Sequence, residues 1–216
     1  MVKIITNQEG KAIVTEGDKA FIPPSPTGTI SITENGTYDV SSYGTANVNT
    51  VDYLAQKIQN TLVNYVIPEG TTTIYTHALR GCTSLESIVI PGSVGLIRDN
   101  AFSGCSSLSS VTINRGVTSF YSRVFEGCAF SSIKIPNTVR SFSSYCFEAC
   151  SNLAVIDLTD YTSDQTVPSI STTTFHNINS NAVFCFQDQT TLNNFSSATN
   201  WSSLASTYTF RVGLPE

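Results

Sequence analysis

Between Ile67 and Leu158 the apolar positions recur in one order four times. The first copy carries Ile74, Ala78-Leu79, Gly81-Cys82, Leu85, Ile88 and Ile90. The second carries Ile97, Ala101-Phe102, Gly104-Cys105, Leu108, Val111 and Ile113. The third carries Phe120, Val124-Phe125, Gly127-Cys128, Phe130, Ile133 and Ile135, and the fourth Phe142, Cys146-Phe147, Ala149-Cys150, Leu153, Ile156 and Leu158. Cys82, Cys105, Cys128 and Cys150 stand 23, 23 and 22 residues apart; the short interval coincides with one residue, not two, between Cys128 and Phe130. A fixed period of this size marks stacked units, none of which can bury its apolar side alone. The closing Leu-x-x-Ile-x-Ile alternates as a short strand does. Stacking predicts a parallel sheet, with Ile88, Val111, Ile133 and Ile156 as a core ladder. Pro91, Asn114, Pro136 and Thr159 take the corner after the strand, where a proline lacks the N–H that would continue the ladder. The Ala-Phe-x-Gly-Cys piece is the return leg. The expected fold is a mainly β solenoid with short helical or irregular return legs.

The flanks follow other patterns. Residues 1–50 read as a small N-terminal β module. It holds apolar stretches at Val2–Ile5 and Lys11–Thr15, a Pro-rich linker at 23–28, then Thr29–Thr33 and Thr37–Val40 around Asn35-Gly36, a strong hairpin signal. A further strand is expected at Ala46–Asn49. Across residues 51–66, Val51, Leu54, Ala55, Ile58 and Leu62 keep the spacing of an amphipathic helix, expected to cap the open solenoid end; a partner-binding helix is the rival reading. After the repeats (67–158), residues 159–216 read as a degenerate fifth repeat and a C-terminal cap. There Val167 to Ile170 and Phe175 echo the period, Ala182–Phe186 is a strand, and Asp188 caps a helix carrying Leu192, Phe195 and Ala198. Trp201, Leu204 and Tyr208 continue at helical spacing, so the lone Trp reads as a cap anchor, with a ligand platform as the alternative.

The order Ile-Pro…Ile…Ala-Phe…Gly-Cys-x-x-Leu-x-x-Ile-x-Ile-Pro resembles the BspA-type leucine-rich repeat over the whole of 67–158. The resemblance implies a curved right-handed leucine-rich-repeat solenoid with its parallel sheet on the concave side, to which the spacing above adds N- and C-terminal capping helices. It implies adhesion or recognition only loosely. Residues Ile30 to Val48 resemble an element of tail and other minor structural proteins of phages and prophages of gut Firmicutes, and the segment from Val167 to Ser202 resembles the terminal cap of phage-borne repeats of this type.

Composition narrows the function. Charged residues make up only 12% of the chain and the net charge is −5, which argues against nucleic-acid or anionic-membrane binding. No apolar run approaches a membrane span, and residues 1–10 lack the apolar core of a secretory signal. The six cysteines are too few for a disulfide scaffold. Four of them share one repeat position and read as buried thiols, with disulfides or a metal site as alternatives. His77 and His176 are the only histidines, and no motif links either to a nucleophile or an orienting carboxylate. The chain therefore reads as a non-enzyme with no cofactor and no metal.

Contact remains. Outward strand slots hold Ser87, Ser110, Ser132, Val155 and Val89, Thr112, Lys134, Asp157, a small and bland face. The return leg exposes two rows, Tyr75/Arg98/Tyr121/Ser143 and His77/Asn100/Arg123/Tyr145. Tyr and Arg supply most binding energy at protein contacts, so Tyr75, His77, Arg98, Asn100, Tyr121, Arg123 and Tyr145 form the candidate binding set. The resulting expectation is a phage virion protein, tail- or baseplate-associated. Its β module would join other virion proteins as a homo-oligomer on the particle, and its solenoid would meet a host-surface protein or glycan. A bacterial cell-surface adhesin and a purely structural decoration protein are the alternatives.

Overall fold

The computed structural model describes residues 70–215 throughout, together with Ile67, the Tyr65 side chain and the backbone of six strands between residues 2 and 66. Residues 51–63 of the expected capping-helix segment 51–66, the strand at 46–49 and the linker at 23–28 lie outside the described residues, and the last three residues of that segment, Asn64–Val66, are a strand instead. Strands β1 (Val2–Thr6), β2 (Ala12–Glu16) and β3 (Lys19–Phe21) form an antiparallel sheet of their own. Strands β4 (Ser31–Ile32) and β5 (Thr37–Asp39) pair antiparallel.

Each repeat lays down two parallel strands. A two-residue strand opens the return leg: β7 (Thr73–Ile74), β9 (Leu96–Ile97), β11 (Ser119–Phe120), β13 (Ser141–Phe142) and β15 (Ser169–Ile170) form one continuous five-stranded ladder. The longer strands close each repeat: β8 (Ser87–Ile90), β10 (Ser110–Ile113), β12 (Ser132–Lys134), β14 (Val155–Asp157), β16 (Val183–Phe186) and β17 (Thr209–Val212). Strand β6 (Asn64–Val66) precedes β8 in the same sheet, and β5 and β4 extend that sheet beyond β6. The two-residue strand β4 is thus the edge of this sheet on that side, and a very short edge strand is one way proteins keep an edge from pairing with other chains. The degenerate fifth repeat is a genuine rung, because β15 pairs with β13 and β16 with β14.

The longer sheet is interrupted where a single uninterrupted ladder was expected. Strand β10 pairs with β8, and β12 with β14, but no ladder joins β10 to β12. The cause is the missing residue after Cys128. In the other copies the two residues after Cys make a turn closed by Leu85 N, Leu108 N and Leu153 N on the Cys carbonyl, at 3.0, 2.9 and 2.9 Å. In the third copy Ala129 N instead donates to Leu108 O of the rung before, at 3.0 Å. The strand that follows enters out of hydrogen-bonding step. Val111 consequently stays half-buried, whereas Ile88, Ile133 and Ile156 are fully enclosed.

The core is aromatic and stacked along the solenoid axis. Phe102, Phe125, Phe147 and Phe175 lie face to face with successive centroid distances of 5.3, 5.8 and 5.1 Å. Such pairs contribute roughly 0.5–1.5 kcal/mol each beyond area burial. All six cysteines are buried free thiols. Cys105, Cys128 and Cys150 donate to Leu79 O, Phe102 O and Phe125 O of the preceding rung at 3.1, 3.3 and 3.0 Å. Burial pushes the Cys82 and Cys150 thiols up to about 12 and raises those of Cys105 and Cys128 well above the ordinary thiol range, so at neutral pH all stay protonated and inert.

The C-terminal end closes on Trp201, fully buried, whose Nε1 donates to Pro168 O at 2.7 Å while its ring meets Phe175, Phe184 and Phe195. Asp188 caps helix α1 (Gln189–Ser197) by accepting from Thr191 N at 2.8 Å. The continuous helical spacing through Tyr208 is broken, however. Ala198 is extended and Asn200 has φ 66°, so a second helix, α2 (Trp201–Thr207), starts afresh. Asn200 Nδ2 donates to Ile170 O at 2.7 Å, a tertiary bond that holds the break.

Candidate functional site

The outer row of the return leg has a backbone property that its sequence spacing does not show. His77, Asn100, Arg123 and Tyr145 have φ of 63°, 56°, 57° and 62°. All four are left-handed, a conformation that costs a residue with a Cβ about 1–2 kcal/mol. Four residues later the chain turns left-handed again at Gly81, Gly104 and Gly127, and at Ala149. The second slot uses glycine, for which this conformation is nearly free; the first never does. Its geometry is enforced from outside, because His77 N, Asn100 N and Arg123 N donate to Asp99 O, Ser122 O and Ser144 O of the next rung at 2.9, 2.9 and 3.2 Å. Strain held by its surroundings is a mark of sites that present side chains.

What the two rows present is partly assembled and partly open. The Arg98 guanidinium carbon lies over the Tyr121 ring at 4.7 Å, and that of Arg123 over Tyr145 at the same distance. Each arginine is thus fixed by a tyrosine of the following rung, a contact worth roughly 0.5–1 kcal/mol at exposed sites. Tyr75 is 43% exposed and His77 is exposed, while Asn100, Tyr121 and Tyr145 are half-buried. The structure brings Arg98 to Tyr121 and Arg123 to Tyr145, and among the described residues shows no such pairing for Tyr75, His77 or Asn100.

A third row completes the surface. Arg80, Ser103, Glu126, Glu148 and His176 occupy the slot just before the second left-handed turn, three residues after the outer row in the first four copies. Arg123 Nη1 lies 2.9 Å from Glu126 Oε1 and 3.2 Å from Glu148 Oε2, the latter outside hydrogen-bonding geometry. Ser103 Oγ donates to Glu126 Oε2 at 3.0 Å. His176, which no sequence motif tied to a carboxylate, has its Nδ1 3.3 Å from Glu148 Oε1 and its ring edge-on to Tyr145 at 6.0 Å. Reading the repeat register one slot further would have found these residues.

The strand face is less bland than its sequence suggests. Val89 is 55% exposed, but farther along Lys134 Nζ lies 2.9 Å from Asp160 Oδ1, and Arg115 Nη2 3.3 Å from Asp160 Oδ2. Burial pushes the Asp160 carboxyl up, but its bonds to Lys134 and Arg115 outweigh this and hold it below the usual carboxylate range. Among the described residues no group of three or more His, Cys, Asp or Glu is placed to hold a metal ion, and no helix is long and apolar enough to cross a membrane.

A family model, the BspA type leucine rich repeat region, matches residues 47–154 and 72–205 with six copies. Among solved structures, the chain is similar to a leucine-rich repeat protein of Bacteroides ovatus ATCC 8483, with 18% identity and TM-score 0.47 over 59% of this chain and 32% of that one. A leucine rich cell surface protein of Faecalibacterium prausnitzii A2-165 follows, with 22% identity and TM-score 0.40 over 59% and 40%. The leucine-rich repeat protein of T. pallidum has 19% identity and TM-score 0.37 over 62% and 70%. The chain therefore spans about a third to two-fifths of the length of the first two. No curated protein matches it.

Proposed function

The chain belongs to the BspA-type leucine-rich repeat family, and on that premise we propose that it is a recognition module whose return-leg face makes the contact. One observation carries this reading. The outer row keeps a left-handed backbone at four successive rungs, yet three of the four residues there are His, Arg and Tyr. Glycine would relieve the strain at each, and the neighbouring slot uses it. Large polar and aromatic side chains at strained positions are consistent with display.

The particle on which this face is displayed is, in the same proposal, a phage tail or baseplate. Support comes from the likeness of Ile30–Val48 to an element of phage minor structural proteins. The sheet of β1, β2 and β3, which pairs with none of the solenoid strands, would attach to other virion proteins, and the solenoid would reach a host-surface protein or glycan. Neither role calls for catalysis. Mass spectrometry and electron microscopy of particles produced by the encoding genome test this assignment. The chain at a tail tip supports it, and the chain on a bacterial envelope but absent from particles replaces it with a cell-surface adhesin.

A further inference from the structure

Arg98 and Arg123 on the return-leg face are held alike and neutralised differently. Both lie over the tyrosine of the next rung at 4.7 Å. Arg123 faces two carboxylates, Glu126 and Glu148, and the second of these also meets His176. Among the described residues the Arg98 guanidinium has no ion pair. The carboxylate next to it in sequence, Asp99, accepts the Ser122 amide at 3.0 Å instead. In the third row, the slot that holds Glu126 in the rung of Arg123 holds Ser103 in the rung of Arg98, and the Ser103 hydroxyl donates to Glu126. The repeat thus supplies a counter-charge at the third rung and omits it at the second.

Beside this cation stand Tyr75, 43% exposed in the preceding rung of the same row, and the exposed His77. We infer that Tyr75, Arg98 and Tyr121 form a subsite for a carboxylate-bearing sugar ring, a terminal uronic or sialic acid of an acidic glycan. The inference rests on the return-leg face being the recognition surface and names its ligand class. A planar guanidinium pre-oriented on a ring presents a fork that matches a carboxylate, and such charge-assisted bonds are about twice as strong as neutral ones. The open Tyr75 face suits stacking on a pyranose. Beyond Tyr75, the exposed large hydrophobics among the described residues are Val89, Val212 and Leu214, all outside the return leg, so the subsite offers a ring face and a charged fork and no aliphatic pocket.

The test measures binding of the full chain to immobilised oligosaccharides ending in glucuronic acid or N-acetylneuraminic acid, against neutral glucose-ended chains of equal length. Acidic chains should bind at least tenfold better than neutral ones, and added salt should erode the difference. Arg98→Gln should abolish that preference, and Tyr75→Ala should weaken binding to acidic chains, with Lys134→Gln on the strand face as the unchanged control. Circular dichroism shows whether each variant is folded. Equal binding of acidic and neutral chains, lost in Tyr75→Ala but kept in Arg98→Gln, overturns the carboxylate while leaving the face intact. Acidic binding unaltered in both variants overturns the subsite and the face together. No binding by the wild-type chain overturns the acidic-sugar assignment.

Discussion

Adding one serine between Ala129 and Phe130 should close the seam between β10 and β12. The insertion restores the two-residue spacing after Cys128 that lets the other rungs turn before their strand. A closed seam would carry a ladder like that of β8 and β10, which are paired over four residues. Roughly three new inter-strand bonds at a net ~0.5–1.5 kcal/mol each, plus about 1 kcal/mol for finishing the burial of Val111, oppose about 1–2 kcal/mol for ordering the added residue. The balance favours the insertion by about 0.5–4.5 kcal/mol. Urea unfolding followed by circular dichroism should show a higher midpoint, and hydrogen exchange should slow at the amides of Ser132–Lys134 without changing along β9, β11 and β13. An unchanged midpoint together with unchanged exchange at β12 would refute the attribution of the seam to the missing residue.

Four further outcomes are expected. Phe125→Ala removes the ring stacked between Phe102 and Phe147 and should destabilise by about 3–5 kcal/mol. Because stability in a repeat array is a nearest-neighbour sum, its unfolding curve should also broaden; a sharp transition with an unchanged midpoint would contradict this. Gly116→Ala would set a Cβ 1.9 Å from Gly92 O of the neighbouring rung and should cost ~1–3 kcal/mol or more, read as a drop in melting temperature. Ala149→Gly relieves a left-handed alanine at φ 57°, worth about 1–2 kcal/mol, against ~0.4–1 kcal/mol of added freedom in the unfolded chain. The net is a small gain in melting temperature. Asp160→Asn should lose under about 1 kcal/mol at pH 7, since its partners are solvent-screened. Asp160 titrates below its unfolded value in the folded protein, so its stabilisation is complete above the ordinary carboxylate range and lost as pH falls through the folded value. Wild type and variant should therefore converge as the pH falls below that folded value.

The solenoid was legible in the chain because each apolar slot is filled by the same kind of residue four times. Even the seam announced itself as the single Ala129 between Cys128 and Phe130, although what that residue does to hydrogen bonding only the coordinates reveal. The break at Ala198–Asn200 was hidden, since Leu192, Phe195, Trp201 and Leu204 keep helical spacing across it and the tertiary bond of Asn200 to Ile170 O decides. At the candidate site the rows could be read from the register, but their left-handed backbone could not. His77 and Asn100 are residue types that favour it, but Arg123 and Tyr145 give no local sign. The pairing of Arg123 with Glu126 and Glu148 was missed because their slot was not followed across the rungs.

The most direct test of the return-leg face is a cell-binding comparison between two surface variants of equal size. One replaces Tyr75, Tyr121 and Tyr145 with Ala; the other replaces Val89, Thr112 and Lys134 on the strand face with Ala. Labelled protein is measured against a panel of gut Firmicutes by flow cytometry. The account predicts that the tyrosine variant, folded by circular dichroism, loses at least tenfold in binding while the strand-face variant matches wild type. Loss confined to the strand-face variant would contradict it.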